Sequence, residues 1–188
     1  MSDPAKTDEP DTWMSRAEYQ RWAEGRRGRF ERVDGRVAAM APERVGRTRI
    51  KGQVFRILCG AIEAAGLPCE VLTDGPTIEV DESDYEPDAI VRCGDVVIPD
   101  DSLAVPDPLI VVEVLSPRTH RTDVGLKLAD YFRIATVQHY IILFADRIQA
   151  VHHRRAGDRI ETRVMTHGDL VLDPPGLTVP LASLYPPR

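Results

Sequence analysis

The sequence predicts an α/β domain, in the broader α+β sense, built around a central mixed β-sheet flanked by helices. Two observations predict this class. A helical period of apolar residues gives way after Gly66 to short β-rich runs, and a second helical segment then crosses back to further strands. The 188 residues suffice for one domain with a substantial core. No apolar run approaches the ~20 residues that a membrane helix needs.

The N-terminal segment separates a leader from the domain. Residues 1–12 are acidic and polar, which predicts a disordered leader without a secretory signal. The domain then covers residues 13–188. Ser15 and Glu18 form a capping-box pattern, which predicts a helix over about 16–24.

A hairpin and a long helix follow. Asp-Gly at 34–35 joins two short runs and is a strong signal for a β-hairpin. Apolar residues recur at helical spacing over about 46–65, and Gly66 stands where a helix-ending glycine is expected. The polar side of this helix carries four basic residues, namely Arg47, Arg49, Lys51 and Arg56.

The rest of the chain reads mainly as strands. Short β-rich runs separated by Asp, Pro and Gly lie at 69–73, 76–80, 88–92 and 109–115. A second helix is predicted over 122–134, with Thr122 as its N-cap. Further strands are predicted at 139–145, 148–154 and 160–165, before a Pro-rich tail.

Charge and cysteine content narrow the class of protein. The net charge is −6, but the stretch from Arg16 to Arg56 holds twelve basic and five acidic side chains. This asymmetry fits a basic docking face beside an acidic pocket, and it also fits an ordinary solvated surface. The three cysteines form no CxxC pair, and their odd number favours reduced thiols in a cytoplasmic protein.

Two carboxylates stand out in apolar surroundings. Glu113 interrupts the most apolar strand, where an unpaired carboxylate would cost several kcal/mol, so it needs a proton, a cation or a wetter strand face. Asp88 opens another apolar strand after Pro87, where it fits either turn chemistry or a site. If the two strands are neighbours, both carboxylates could converge on one Mg²⁺ ion.

Lys127 and Glu31 are the other two candidates. Lys127 lies at the edge of the apolar stripe of the second helix, where it could pair with Asp123 on the surface or turn inward toward Glu113. Glu31 lies on the hairpin among basic residues, and a surface salt bridge is its plain interpretation. GxSxG, Walker A, GxGxxG and HExxH motifs are absent from the sequence.

The order of these motifs resembles the Uma-two family of restriction-endonuclease-like proteins, a branch of the PD-(D/E)XK nuclease superfamily. The resemblance covers about residues 14–185 and runs through FERVDGRV, YEPDAIV, PLIVVEVLSPRTHRTDVGLKLADYF and HYIILFAD. Its most specific part is Glu113-Val114-Leu115-Ser116-Pro117, followed by Asp123, Lys127 and Tyr131. The resemblance implies a single domain of the restriction-endonuclease type.

The same resemblance implies a site and a reaction. Asp88 and Glu113 match the two acids, and Lys127 matches a lysine that has migrated from the position of Leu115. Asp88, Glu113 and the Val114 carbonyl would hold Mg²⁺, for which Mn²⁺ could substitute, to hydrolyse phosphodiester bonds. Lys127 would position or deprotonate the attacking water. A further acid, Glu31, would be an outer-shell or second-metal ligand.

Two readings of function remain open beside this one. Relatives carry a histidine where this chain has Arg47-Thr48-Arg49, although arginine could replace it as a phosphate ligand. We expect Arg47, Arg49 and Lys51 to contact nucleic acid, with DNA favoured, in a monomer or homodimer. The alternatives are a catalytically inactive nucleic-acid-binding module of the same fold and a hydrolase of small phosphate esters.

Overall fold

The structure is a computed structural model that describes residues 12–115 and 124–187. Its helices are α1 (Arg16–Ala23), α2 (Val45–Ala65) and α3 (Val124–Tyr131). The strands are β1 (Phe30–Val33), β2 (Arg36–Ala39), β3 (Cys69–Leu72), β4 (Ile78–Val80), β5 (Ser83–Tyr85), β6 (Ala89–Cys93), β7 (Ile110–Leu115), β8 (His139–Phe144), β9 (Ala150–Ala156), β10 (Arg159–Met165), β11 (Asp169–Leu172) and β12 (Leu177–Pro180). A 3-10 turn follows at Leu181–Leu184.

The strands form three sheets. The central sheet has six strands in the order β10-β9-β8-β7-β6-β3, and the smaller ones have the orders β2-β1-β5-β4 and β11-β12. Strands β7 and β8 are parallel, whereas the other pairs in the central sheet are antiparallel. Because parallel neighbours need a crossover connection, α3 lies between β7 and β8 in the chain. The central sheet is mixed and carries helices, as the sequence predicts.

Local sequence signals set the ends of the early elements. Both capping-box hydrogen bonds between Ser15 and Glu18 are present at the start of α1. Helix α2 ends at Gly66, whose φ of 61° is left-handed. Asp34 and Gly35 both have positive φ, as a two-residue hairpin turn requires. These three predictions are confirmed.

The core lies on both faces of the central sheet. On one face, Val112 and Val114 pack in a cluster with apolar residues of α2 and of the C-terminal segment. On the other face, Val111 and Leu115 pack with Tyr131 of α3. Since side chains alternate along a strand, Glu113 belongs to the face of Val111 and Leu115. It therefore lies on the side of the sheet where α3 packs.

The C-terminal segment differs from the prediction of a Pro-rich tail. Strands β11 and β12 form a hairpin whose Leu170 and Val179 are buried in the core beside α2. Strand β5 is also present, although none of its three residues carries a strand signal in the sequence. Helix α3 ends at Tyr131 instead of 134, and the predicted N-cap Thr122 lies outside the described residues.

The prediction of reduced cysteines is wrong for one pair. Cys69 and Cys93 are directly opposite each other on β3 and β6 and form a disulfide, whereas Cys59 is free. Strand register, which brings positions 24 apart into contact, is invisible in cysteine spacing. Over residues 12–115 and 124–187, no helix combines the length and apolar character that crossing a membrane requires. The predicted leader at 1–12 falls almost wholly outside these ranges.

Candidate active site

Asp88 lies at the start of β6, beside the end of β7. Its backbone N–H donates to the Val112 carbonyl at 3.1 Å, and its Oδ2 accepts the Val114 N–H at 2.6 Å. The antiparallel register that pairs Ala89 with Val112 brings Asp88 to this edge of the sheet. Asp88 and Glu113 thus lie on neighbouring strands, which is the arrangement that their convergence on one ion requires.

Lys127 of α3 turns inward and joins two carboxylates. Its Nζ lies 2.8 Å from Glu31 Oε1 and 2.9 Å from Glu113 Oε1. The hydroxyl of Tyr131, one helical turn further on, donates to Glu113 Oε1 at 3.1 Å. Glu31, Glu113 and Lys127 are all buried, with at most 7% of each residue exposed. A surface pairing with Asp123 is not tested, because Asp123 lies outside the described residues.

Two further contacts hold Lys127 and Glu31 in position. Helix α3 is anchored by Asp130, whose carboxylate accepts the Tyr85 hydroxyl at 2.6 Å. Glu31 projects from β1, and its Oε1 also accepts the backbone N–H of Glu86 at 2.9 Å. Glu31 is therefore a buried member of the site and not the surface salt-bridge acid that its sequence context suggested.

Burial and neighbouring charges perturb the ionisation of this cluster. Burial raises the pKa of Glu113 to about 7, against the opposing effect of Lys127 and with support from the charges of Asp88 and Glu31. Burial alone would lower the pKa of Lys127, but Glu113 and Glu31 outweigh it and raise that pKa. The two carboxylates therefore favour the protonated form of Lys127 at neutral pH.

Two basic residues of α2 surround Asp88. The Arg47 guanidinium donates from Nη2 to both Asp88 carboxylate oxygens at 2.9 Å, and from Nε to the Val114 carbonyl at 2.7 Å. Lys51, one turn later, lies with Nζ 3.0 Å from Asp88 Oδ1 and is 4% exposed. Arg49 is exposed on the same helix, about 200° around from Arg47.

A ring of surface charges continues outward from Lys51. Its Nζ lies 2.5 Å from Asp74 and 3.5 Å from Glu43. Arg29 contacts the same two acids and also Glu86, at 2.7 Å. Arg47 and Lys51 are therefore bound into a network of alternating charges, so Lys51 is not a free surface contact for phosphate.

The donor set suits a divalent metal in its chemistry. Asp88, Glu113 and the Val114 carbonyl offer hard oxygens at one sheet edge, which is the type of ligand that Mg²⁺ prefers. In this arrangement, however, Arg47 contacts both Asp88 and Val114. Within the described ranges, no group of three His, Cys, Asp or Glu side chains is placed to hold an ion.

The sequence reasoning missed the roles of several site residues. Tyr131 was named only as part of the family motif and Lys51 only as a nucleic-acid contact, although each lies four residues after a candidate on the same helix. Asp74 and Glu86 had none, because they reach Lys51 and Arg29 only through the packing of separate loops. Glu43 precedes α2 and reads as an ordinary polar residue.

Comparison with known proteins places the chain in a family. The model of Uma2, described as "Putative restriction endonuclease", matches residues 16–182. An uncharacterized Synechocystis protein, slr1290, is 27% identical over 179 residues, covering 92% of this chain and 91% of that protein. A second one, sll1609, is 24% identical over 149 residues and covers 78% and 83%, respectively.

A solved structure shares the fold. It is the crystal structure of "a putative nuclease belonging to DUF820" from Anabaena variabilis ATCC 29413, with a TM-score of 0.72 and 13% sequence identity. The match covers 90% of this chain and 96% of that one. It confirms the fold class, and together with the family model it confirms the resemblance found in the sequence.

Proposed function

The chain belongs to the Uma2 family, and from this premise we propose that it is a metal-dependent endonuclease that hydrolyses phosphodiester bonds, with DNA as its substrate. One observation carries the proposal. Lys127 Nζ lies 2.8 Å from Glu31 and 2.9 Å from Glu113. Glu113 belongs to β7, whose partner β6 begins directly after Asp88. Two acids and a lysine at one sheet edge suit the binding and hydrolysis of a phosphodiester.

Each side chain has a distinct task in this proposal. Asp88, Glu113 and the Val114 carbonyl would hold Mg²⁺ or Mn²⁺, and the bound ion would polarise the scissile phosphate and stabilise the leaving oxygen. Lys127, which stays protonated, orients the attacking water and offsets the charge that develops on phosphorus-bound oxygens. Glu31 fixes Lys127 through their 2.8 Å contact.

Fewer basic residues of α2 are available to contact phosphate than the sequence suggested. Arg49 is exposed on α2 and is free of the Asp88 cluster, so it serves the DNA backbone in this proposal. Lys51 is buried and forms ion pairs with Asp88 and Asp74, so it does not contact the DNA backbone. Arg47 takes part in both roles, because it contacts Asp88 and 13% of its side chain is exposed to solvent.

Plasmid cleavage with matched substitutions tests the proposal. We expect the purified protein to nick or linearise plasmid DNA with Mn²⁺ or Mg²⁺ and not with EDTA. Asp88→Asn, Glu113→Gln and Lys127→Met should each lower the rate by about 100-fold or more. Circular dichroism of each variant checks that it is folded.

Exposed residues offer the same chemical changes as controls. Asp146→Asn and Glu161→Gln alter acids that pair on the surface with Arg147 and Arg154, so their rates should equal that of the wild type. Cleavage retained by a folded Glu113→Gln or Lys127→Met variant would place the reaction elsewhere.

A second candidate function has its own supporting observation. Arg47 already neutralises Asp88 and contacts Val114, which favours a module that binds nucleic acid without metal or cleavage. Such a module predicts DNA binding in EDTA that weakens steeply with salt, and no cleavage under any metal condition.

A further inference from the structure

Arg47 contacts the oxygens on which a metal would depend. Its Nη2 lies 2.9 Å from both carboxylate oxygens of Asp88, and its Nε lies 2.7 Å from the Val114 carbonyl. One guanidinium thus joins two of the three oxygen donors assigned to Mg²⁺. A cation of either kind satisfies these oxygens, and the two cannot both do so at once.

We propose that Arg47 is a displaceable counter-ion that competes with the divalent metal for Asp88 and Val114 and leaves when a DNA phosphate takes its guanidinium. The inference rests on the proposed function and adds to it a mode of regulation. Metal binding and DNA binding are then coupled through one side chain, and the site without DNA has a low affinity for metal.

The surroundings allow Arg47 to leave without stranding Asp88. Lys51 Nζ stays 3.0 Å from Asp88 Oδ1, and the Val114 N–H still donates to Oδ2 at 2.6 Å. Arg47 itself has another acidic neighbour, because its Nη1 lies 3.4 Å from Glu43, which is partly exposed. Glu43 therefore offers the guanidinium a second anionic contact when it leaves Asp88.

The position of Arg47 in α2 favours its exchange onto a phosphate. The helix begins at Val45, its N-cap Arg44 makes no side-chain capping bond, and its first turn has no acidic residue. A cation at this end is disfavoured by the helix dipole, so Asp88 supplies the compensation that holds Arg47 there. An incoming phosphate at the same end of the helix offers the Arg47 guanidinium a bidentate partner, whereas only its Nη2 contacts the Asp88 carboxylate.

Calorimetric titration of Mn²⁺ tests the competition without any substrate. We expect Arg47→Ala to bind Mn²⁺ at least about tenfold more tightly than the wild type. Arg56→Ala removes the same charge from an exposed position of the same helix, where Arg56 contacts Gln53, and should bind Mn²⁺ as the wild type does. Adding Asp88→Asn to Arg47→Ala should abolish the gain. Equal affinity of Arg47→Ala and the wild type, or no binding by either, would overturn the proposal.

A second measurement uses the wild type, in case Arg47→Ala is poorly folded. Its guanidinium Nε–H resonances are followed by NMR during addition of Mg²⁺ with a short duplex. The Arg47 signal should move, because its Nε leaves the Val114 carbonyl. The buried Arg32, whose Nε donates to Asp84, is the internal control and should not change. An unmoved Arg47 signal at saturating Mg²⁺ and duplex would contradict displacement.

These outcomes separate this inference from the nuclease assignment. Tight Mn²⁺ binding by Arg47→Ala, without cleavage by any variant, would support the competition and reject the endonuclease. Metal-dependent cleavage by the wild type, with unchanged Mn²⁺ affinity in Arg47→Ala, would retain the endonuclease and reject the competition.

Discussion

Replacing Lys127 by Met probes the charge cluster most directly. Lys127 Nζ lies 2.8 and 2.9 Å from two carboxylates, and the residue is 7% exposed. Its removal leaves Glu31 and Glu113 buried without their shared cation. Breaking a buried ion pair in this way costs about 3–5 kcal/mol, so we expect Lys127→Met to lose that much unfolding free energy at pH 8.

The stability that Lys127→Met loses should be smaller in acid, because a proton on Glu113 can replace the missing lysine charge. In the variant, Glu113 stays protonated in the folded state, whereas its pKa in the unfolded chain is 4.5. The free energy of unfolding of the variant therefore rises by about 3 kcal/mol between pH 8 and pH 5.5. In the wild type the pKa of Glu113 is about 7, so its stabilisation is full in acid and lost as pH rises through that value. The free energy of unfolding of the wild type therefore rises by only about 2 kcal/mol over the same interval. The difference in stability between the wild type and Lys127→Met then falls by about 1 kcal/mol.

Urea unfolding in EDTA, at pH 8 and pH 5.5, measures both effects. Arg133→Met is the control, since Arg133 and Asp81 form an exposed ion pair at 2.7 Å whose loss costs less than about 1 kcal/mol. A Lys127→Met deficit below about 1 kcal/mol at pH 8 would refute the buried cluster. A deficit that grows in acid would refute the replacement of lysine by a proton.

Further predictions concern the histidine pair and two glycines. Burial lowers the pKa of both His139 and His152 to about 4, so the unfolded chain binds more protons and stability is lost as pH falls from 6.5 to 4. Urea titrations across this range should show a shallower loss for His152→Gln, and an unchanged slope would contradict it. Gly66→Ala should cost about 1 kcal/mol, because φ is 61° in open space. Gly35→Ala should cost more in the same assay, since its Cβ would also displace Trp13, and equal costs would count against this.

Local patterns predicted the early elements well. The capping box of α1 and the Asp34-Gly35 turn depend on interactions within a few residues, which a sequence displays directly. The long period of α2 is equally local. Strands β11 and β12 were missed because the prolines around them hid a two-residue period of buried side chains, including Leu170 and Leu172.

The part of the site that the sequence predicted is the part where a charged residue lies in an apolar strand, since burial of an unpaired charge is costly. Glu113 in an apolar strand required a partner, and its partner is Lys127, as the inward alternative proposed. The contacts of Arg47 and Lys51 with Asp88 could not be read from the chain, because they depend on how α2 crosses the ends of β6 and β7. The same holds for the Cys69–Cys93 bond, which depends on strand register.

The separation of the site residues along the chain has a consequence for synthesis. Arg47 and Asp88 are 41 positions apart, whereas Glu31 must wait for Lys127, 96 positions later. Contacts of large sequence separation are slow to form, and a nascent chain emerges from its N-terminus. A ribosome-bound chain that ends before α3 contains Asp88 and both of its cationic partners, Arg47 and Lys51, but lacks the lysine that pairs with Glu31. The contact between Glu31 and Lys127 therefore forms only after α3 has been synthesised, later than the residues that surround Asp88 become available.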